Sequence, residues 1–279
     1  MARTEYTIAP PKRIIALDLK ELIRYRDLFW VLAWRDFTVR YKQTALGFLW
    51  AIFRPLVSMV IFTFVFSRGL KIAGDPRTPY AVFVFVGQLF WIFFSETLTT
   101  SSNSMVNNAA MIQKIYFPRL IVPATTTLTG LVDFVVSAVV LAGLMLYFRM
   151  TPAFHSITLV IPLLLMAALT TLGAGMFLSA LNIKYRDVRH ALPFITQMMM
   201  FVTPVIYPVT IFNRYPAIKE VMIWLNPMTG IITNARAAIL GRSPFDMHSF
   251  LAAAIMSVVY FVFGLYYFRQ TERYFADII

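Results

Sequence analysis

The chain has 279 residues, of which 59% are hydrophobic and only 14% are charged, a composition far from that of a soluble globular domain. Lys and Arg outnumber Asp and Glu by 25 to 13, and such a basic excess in so apolar a chain is typical of membrane proteins that face an anionic cytoplasmic leaflet. The basic residues are not gathered on a soluble stretch, which argues against a nucleic-acid-binding domain, and the absence of cysteine excludes disulfides and thiolate chemistry.

The amino-terminal region predicts a helix on the membrane surface. Its first roughly 45 residues contain no uninterrupted apolar core, so we expect no signal peptide and a cytoplasmic amino terminus. Within 30–42, aromatic residues recur at helical spacing with charged residues between them, the pattern of an amphipathic helix in the headgroup region. The chain becomes continuously apolar from Ala45. A surface helix that leads into a first span suggests that a component below the membrane pushes on the membrane domain.

Six later stretches are apolar over the ~20 residues that a transmembrane helix needs. They are 46–67, 80–101, 121–148, 158–181, 192–212 and 248–268. With the amino terminus inside, the cytoplasmic segments carry 17 Lys and Arg and the outer segments eight, as the positive-inside rule requires for this orientation. We therefore predict an all-α integral membrane protein with six transmembrane helices and both termini in the cytoplasm. The predicted parts are a tail and amphipathic helix at 1–45, the six-helix transmembrane domain at 46–268 and a tail at 269–279.

Two connecting segments have helical patterns that are too short to cross the membrane. Residues 102–120 begin with polar residues and continue as an amphipathic pattern, which predicts a short cytoplasmic helix between spans two and three. Within 213–246, residues 216–225 and 228–240 predict two short helices, re-entrant or interfacial, at the outer face.

Motifs that would indicate catalysis are absent from the sequence. It contains no G-x-x-x-x-G-K-[ST] phosphate-binding loop, no H-E-x-x-H and no G-x-S-x-G, so we predict that the chain is not an enzyme and holds no nucleotide. Its three histidines, His155, His190 and His248, lie at separate predicted span ends and are not placed to converge on a metal ion. We therefore predict no metal site.

Ionisable residues inside predicted spans are costly in a bilayer and are functional candidates for that reason. Arg54 lies ~10 Å into span one and Glu96 ~8 Å from the cytoplasmic end of span two, at about 1.5 Å per residue. These matched depths predict an ion pair, which either fixes two helices or takes part in transport. Asp133 lies near the midplane of span three with no evident cationic partner, and either faces a hydrated pathway or bonds to Ser and Thr neighbours.

Predicted span five contains three prolines and three consecutive methionines, in P-F-I-T-Q-M-M-M-F-V-T-P-V-I-Y-P. Proline bends a helix, and flexible methionine suits a surface with changing contacts. The aromatic residues Phe194, Phe201 and Tyr207 would suit a path along which sugars stack their C–H faces on rings. Lipid-facing packing explains the same residues equally well from the sequence alone.

Four segments carry more specific patterns. They are R-D-F-T-V-R-Y-K-Q-T-A-L-G-F-L-W-A-I-F-R-P-L at 35–56, I-Q-K-I-Y-F-P at 112–118, K-Y-R-D-V at 184–188 and N-P-M-T-G-I-I at 226–232. In this order, over roughly residues 20–270, the chain resembles the transmembrane subunit of ABC-2 type polysaccharide exporters, which export O-antigen, teichoic acid and related glycans. The resemblance implies that two copies form a channel and that two separate ATPase subunits bind ATP and Mg²⁺ below it, with no cofactor in this chain.

The resemblance also implies roles for individual segments and residues. The family's interface helix would correspond to about 20–42, its coupling helix on the ATPase to about 104–116, and its outer helices over the channel exit to about 213–246. The ATPase-coupling candidates are Tyr41, Lys42, Asn108, Ile112, Gln113, Lys114, Tyr116, Arg186 and Asp187. Positive-inside charge alone also explains the basic residues Lys184 and Arg186. Because spans one and five line the family's channel, the pore-lining candidates are Phe48, Phe53, Phe194, Met198, Phe201 and Tyr207.

The expected function is that of the membrane subunit of an ATP-driven exporter that carries a lipid-linked, O-antigen-like polysaccharide across the bacterial inner membrane, as in lipopolysaccharide biosynthesis. ATP would close the partner subunits, and the movement would reach a homodimeric channel through the interface and coupling helices. An ABC-2 exporter of a drug or small lipid is the nearest alternative. A secondary transporter or ion channel is another, supported by Asp133 and the Arg54–Glu96 pair. A membrane enzyme acting on lipid-linked sugars is the third and would need a convergent acidic or metal-binding cluster.

Overall fold

The computed structural model describes residues 19–42, 49–69, 78–152, 156–272 and 275. All regular secondary structure in these ranges is helical, which confirms the predicted all-α class. Five of the described helical stretches are long and apolar enough to cross a membrane. These are Leu49–Ser67, Tyr80–Asn107, Ile121–Tyr147, Thr158–Lys184 and Met247–Thr271.

Two helices precede the first of these stretches. Helix α1 covers Leu19–Arg24 and α2 covers Arg26–Lys42, so the region of the predicted surface helix is helical and the helix begins earlier than the pattern at 30–42 indicates. Helix α3, Leu49–Phe62, continues as a π-helical stretch over Thr63–Gly69. Helices α2 and α3 bury few residues, Leu32 and Ala33 in α2 and Pro55 and Met59 in α3, and large apolar side chains on both are exposed.

Helix α4, Tyr80–Asn107, is the central helix of the fold and is buried over most of its length. It packs against α6 (Ile121–Tyr147), α7 (Ser156–Lys184) and α10 (Pro227–Leu240). Helix α11, Met247–Thr271, packs along α7.

The α7–α11 crossing depends on two facing glycines. A Cβ atom at Gly264 would overlap the backbone of Gly173, at 2.6 Å from its carbonyl carbon. Only glycine therefore allows the two helices to approach this closely.

Helix α4 runs to Asn107, beyond the predicted span end at 101, and the short helix α5 covers only Ala109–Lys114. The polar residues after position 101 do not end α4. Ser102 and Ser104 are buried, and Asn103 Nδ2 donates to the Thr99 carbonyl at 2.9 Å. Ser104 Oγ donates to the Ser101 carbonyl at 2.7 Å, and Asn182 Nδ2 of α7 donates to the Ser102 carbonyl at 3.0 Å. The predicted helix at 102–120 is thus the last turns of α4 followed by α5.

The predicted fifth span at 192–212 is not one continuous helix. Helix α8 covers Val188–Val202, and its 15 residues are fewer than the ~20 that cross a bilayer. The chain then turns over 203–208 and enters a 3-10 helix, Val209–Arg214. Pro204 and Pro208 have no N–H to donate, so the α-helical ladder cannot continue through this turn.

The two short helices predicted after span five are confirmed. Helix α9 covers Pro216–Leu225 and is largely exposed, whereas α10, Pro227–Leu240, is buried along almost its whole length. Asn226 Oδ1 accepts a hydrogen bond from the Met228 N–H at 3.1 Å and so caps the start of α10.

Candidate functional site

The ion pair predicted between Arg54 and Glu96 is present. Arg54 Nη1 lies 2.8 Å from Glu96 Oε1 and joins α3 to α4. A second polar contact joins the same helices, since Ser58 Oγ lies 3.3 Å from Gln88 Oε1. Both charged side chains remain about half exposed or more in the single chain, so this pair is not sealed inside the helix bundle.

The expectation that Asp133 has no cationic partner is wrong. Arg40, in the last turn of α2, forms an ion pair with one carboxylate oxygen of Asp133. The Tyr41 hydroxyl donates to the other oxygen, and Arg40 Nη2 also donates to Thr100 Oγ1 of α4 at 3.1 Å. The sequence does not reveal this partner, because Arg40 lies in the helix before the predicted spans and depth in the membrane pairs only residues inside spans.

Tyr41 acts as a hydrogen-bond donor in this cluster. Burial raises the pKa of the Tyr41 hydroxyl above its usual value, and the hydrogen bond to the Asp133 carboxylate raises it further. The hydroxyl therefore keeps its proton at neutral pH and continues to donate. This contact places Tyr41 against α6, not on a surface open to a partner subunit.

The two ion pairs line one cavity of about 200 Å³ between the end of α2 and helices α3, α4 and α6. Its charged groups are two guanidinium groups and two carboxylates, which balance, and its walls include the aromatic residues Trp50, Phe93 and Phe134. A formally neutral cavity with paired charges suits water or hydroxyl groups better than a bare ion, which would have to displace one of the pairs.

The α4–α6 connection divides the predicted coupling residues into two groups. Gln113, Lys114 and Tyr116 are exposed. Ile112 is buried, and the Asn108 amide oxygen accepts from Arg35 Nη2 of α2 at 2.7 Å. Ile112 and Asn108 therefore hold α5 to the rest of the chain, whereas the other three are open to solvent or to a partner.

Ile112 belongs to a second apolar core, beside α5, that joins three distant parts of the sequence. It contains Phe117 after α5 and Phe268 and Phe275 near the end of the chain, and Leu22 of α1 and Tyr25, which follows α1, pack against it. Arg119 donates to the Glu272 carbonyl, and its guanidinium carbon lies 5.8 Å from the centre of the Phe275 ring. The Tyr116 hydroxyl also lies 3.4 Å from Glu21 Oε1. We call this end of the bundle the α5 end.

The second predicted coupling segment also lies at the α5 end, because α7 ends at Lys184, two residues after the Asn182 contact to α4. Lys184, Tyr185, Arg186 and Asp187 are all exposed, as is Lys42 at the end of α2. The carbonyl of Asp187 accepts from the His190 N–H at 3.0 Å and starts α8.

The predicted pore-lining residues of α8 form an exposed stripe. Phe194, Met198 and Phe201 recur at spacings of four and three, which places them on one face of the helix, and Phe53 is exposed on α3. Tyr207 differs, since its hydroxyl donates to the carbonyls of Phe201 and Val202 at 2.9 and 2.8 Å and closes the end of α8. Phe48 lies outside the described residues.

Arg236 of α10 is a residue that the sequence analysis did not single out. It is 5% exposed, and its guanidinium donates to four carbonyl oxygens, those of Phe83, Pro204, Val205 and Tyr207. Its only sequence signal is a charge in a strongly apolar segment. From the sequence it reads as an outer positive charge, because α10 is too short to be predicted as a span.

Comparison with known proteins assigns the chain to a family. A family model described as ABC-2 type transporter matches residues 27–240, more than half of the chain. The chain belongs to this family. The resemblance inferred from its four sequence segments is thereby confirmed.

Curated relatives match nearly the whole length of this ABC-2 chain. The O-antigen export system permease protein RfbA of Myxococcus xanthus is 29% identical over 262 residues, covering 94% of this chain and 98% of that protein. A protein of the same name from Klebsiella pneumoniae is 28% identical and covers 91% of this chain and 95% of its own length. The polysialic acid transport protein KpsM of Escherichia coli is 23% identical, with 86% and 91% covered. Together with the five apolar helices, these matches identify a multi-pass protein of the bacterial inner membrane.

The family match begins in α2 and ends at the last residue of α10. Both ion pairs, α5, the exposed stripe of α8 and Arg236 therefore lie inside the part that this chain shares with other ABC-2 type transporters. Helix α11 and the carboxyl-terminal part of the second core lie outside it.

Proposed function

We propose that the chain is the membrane-spanning subunit of an ATP-driven exporter of a lipid-linked, O-antigen-like polysaccharide. The observation that carries this proposal is the near full-length similarity to proteins named as O-antigen export permeases. The sequence has no phosphate-binding loop of its own, so ATP and Mg²⁺ would be held by a separate ABC ATPase.

In this proposal the chain crosses the membrane six times, with the α5 end in the cytoplasm. The end of α7 and the end of α11 both lie at the α5 end, because Asn182 contacts α4 there and Phe268 packs with Ile112. The chain must therefore reach the opposite end between these helices. Helix α8, with the turn and 3-10 helix that follow it, makes this additional crossing, which is the fifth in chain order. Helices α9 and α10 then lie at the outer face. The segments 1–45 and 269–279 remain cytoplasmic tails.

Two copies would form the channel through the faces of α3 and α8. The supporting observation is that Phe53 on α3 and Phe194, Met198 and Phe201 on α8 stay exposed, while α8 buries only Leu192 and Thr196. A second copy would cover part of this surface and leave an aromatic, methionine-rich path for the polymer. Aromatic rings suit such a path because a sugar can stack on them without a fixed register.

Coupling to the ATPase would pass through α5 and the loop 184–187. The exposed Gln113, Lys114 and Tyr116 are placed to contact a partner subunit, as are Arg186 and Asp187. Asn108 and Ile112 would then transmit the movement to α2 and to the second core. The last turn of α2 contacts Asp133 of α6. Displacement of α5 would therefore reach the interior of the membrane domain through two side-chain contacts, Arg35–Asn108 and Arg40–Asp133.

The secondary transporter and ion channel alternatives lose their main support. They rest on an unpaired Asp133 and on the Arg54–Glu96 pair; Arg40 supplies a partner for Asp133, so only the second support stands. Within the ABC-2 family, an exporter of a drug or small lipid remains the competing function.

The function is tested by deleting the chain in its host and locating the lipid-linked polysaccharide. We expect polymer to accumulate on the cytoplasmic side and to disappear from the surface, and a plasmid copy of the wild-type chain to restore it. Normal surface polysaccharide in a deletion strain without a second exporter would refute glycan export and favour the small-molecule exporter.

A further inference from the structure

The turn between α8 and the 3-10 helix has four consecutive carbonyl groups that are bonded by side chains of other helices. Arg236 of α10 donates to the carbonyls of Pro204, Val205 and Tyr207. The Tyr80 hydroxyl, at the start of α4, donates to the Ile206 carbonyl at 2.7 Å. The carbonyls of residues 204–207 are thus all satisfied from α4 and α10, which replaces the helical ladder that the prolines interrupt.

The guanidinium that makes these bonds is buried without an ion pair in the part of the chain that the structure describes. Its carbon lies 3.7 Å from the centre of the Phe83 ring, and Nε donates to the Phe83 carbonyl at 3.2 Å. A buried cation is tolerated only when its donors are satisfied, and here carbonyl dipoles take the place of water. Lysine could not replace it, because an ammonium group lacks the planar set of five donors that reaches separated acceptors.

A glycine of α4 provides the space for this arrangement. A Cβ atom at Gly87 would lie 2.6 Å from the Val205 carbonyl oxygen and closer still to Arg236 Nη2. Neither neighbour is free to move, since each is bonded to the other. The close approach of α4, the turn and the guanidinium therefore requires glycine at this position.

On the other side of the turn, Asn226 Nδ2 donates to Thr203 Oγ1 at 2.8 Å, so the loop before α10 is also attached. The rest of α8 is held weakly by comparison, since Leu192 and Thr196 are its only buried residues. Helix α8 is thus fixed at its outer end and largely exposed along its length.

We propose that Arg236 is a positioning residue for transport: it fixes the outer end of α8 to α4 and α10, so that the channel opens by movement of α8 below the turn at 203–208. The inference rests on the proposed function for what passes through the channel. The anchoring of α8 is a property of the chain itself and can be measured without a substrate.

The anchoring is tested with a spin label on α8. Because the chain contains no cysteine, Val202→Cys introduces a single labelling site at an exposed position, and Val139→Cys on α6 serves as the reference site. In full-length protein in lipid nanodiscs, Arg236→Lys should raise the mobile fraction at position 202 by about tenfold, the change expected for the loss of one charged hydrogen bond. Position 139 should not change, and neither should position 202 in the matched control Arg242→Lys, where the arginine is exposed.

Two further variants keep the test decisive if Arg236→Lys does not fold. Tyr80→Phe removes one donor to the turn, and Gly87→Ala displaces the guanidinium, with Gly143→Ala as its control because that position faces open space. Each should increase mobility at position 202. An unchanged spectrum there in the folded variants, or an equal increase at position 139, would overturn the positioning role.

Transport provides the second measurement. In cells and in complex with its ATPase, the folded Arg236→Lys variant should retain ATP hydrolysis within about twofold and lose export by about tenfold or more, since only the moving helix is released. Equal loss of both activities would assign Arg236 a merely structural role. If the wild-type chain exports no polysaccharide, the proposed function fails while the spectra still decide the anchoring.

Discussion

Replacement of Asp133 by Asn should loosen α2 from α6, because it removes the anionic half of the ion pair with Arg40. The two side chains are 22% and 31% exposed, so the pair is neither fully buried nor open to bulk water. At an effective dielectric constant of about 20, unit charges about 4 Å apart attract by about 4 kcal/mol before desolvation. Breaking a buried ion pair costs about 3–5 kcal/mol, and breaking an exposed pair costs about 0–1 kcal/mol. For this half-buried pair we therefore expect the free energy of unfolding to fall by about 2 kcal/mol.

The assay is a double-mutant cycle on thermal unfolding, followed by the fluorescence of the five tryptophans. At roughly 2–4 °C per kcal/mol, Asp133→Asn and Arg40→Gln should each lower the unfolding midpoint by about 5 °C. The unfolding midpoint of the double variant should be little lower than that of either single variant, because all three variants remove the same interaction. Losses that add to about 10 °C would show that the two side chains act independently and would refute this account of α2.

The Arg54–Glu96 pair provides a matched comparison within the same cavity. Its side chains are 64% and 45% exposed, about twice the values at Asp133 and Arg40. The corresponding cycle with Arg54→Gln and Glu96→Gln should therefore give a coupling energy of about 1 kcal/mol or less. A larger coupling there than at Arg40–Asp133 would show that a second copy or lipid buries the cavity mouth in the assembled protein.

Three further predictions concern coupling, pairing and packing. Lys114→Ala combined with Tyr116→Ala should abolish export and leave ATP hydrolysis and folding intact, as measured by surface polysaccharide and ATPase activity, because both side chains are exposed. Exchange of the charges, Arg54→Glu with Glu96→Arg, should recover the folded yield that either single change lowers. Gly264→Ala should reduce the folded fraction strongly, since its Cβ would overlap the facing backbone of α7.

Each of these predictions has an outcome that contradicts it. Wild-type export from the Lys114 and Tyr116 double variant would remove the coupling assignment, and Ile112→Ala is its control, expected to destabilise the fold by about 2–5 kcal/mol. A charge-exchanged protein as damaged as the single variants would show that the pair does not act as a unit. Gly143→Ala should be tolerated, since nothing lies within 4 Å of its added Cβ and alanine has the higher helix propensity; equal damage at both glycines would show that the overlap at Gly264 is not the cause.

The long helices could be predicted from the sequence because each carries its own signal. Helices α4, α6, α7 and α11 contain continuous apolar stretches, and length alone separates these from shorter elements. Helices α9 and α10 were predictable from local signals as well, since Asn226 and Pro227 mark the turn and the helix start between them. The sequence predicts the end of α4 too early, because a run of polar residues looks like a loop, although Ser104 within it is buried and bonds to the helix backbone.

The contacts that define the candidate site could not be predicted, since each joins residues far apart in the chain. Arg40 and Asp133 are 93 residues apart, and Tyr80 and the Ile206 carbonyl are 126 apart. The sequence shows that Pro204 and Pro208 interrupt a helix, but it does not show which side chains then bond the freed carbonyl groups. Arg54 and Glu96 are the exception, because both lie in adjacent predicted spans and can be matched by depth.

The orientation of α2 explains why the sequence does not show Arg40 as the partner of Asp133. In a soluble protein the aromatic face of an amphipathic helix packs inward, but here Trp30 and Trp34 are exposed, while Arg35 contacts Asn108, just before α5, and Arg40 contacts α6. This arrangement suits a helix whose outer surroundings are lipid headgroups, which accept tryptophan, and whose polar side chains find partners inside the protein. Arg35 and Arg40 therefore make internal contacts of α2, and they connect Asn108, just before α5, to the middle of α6. A movement of α5 that left Asp133 unmoved would have to break one of two charge-assisted hydrogen bonds, which is the more costly course.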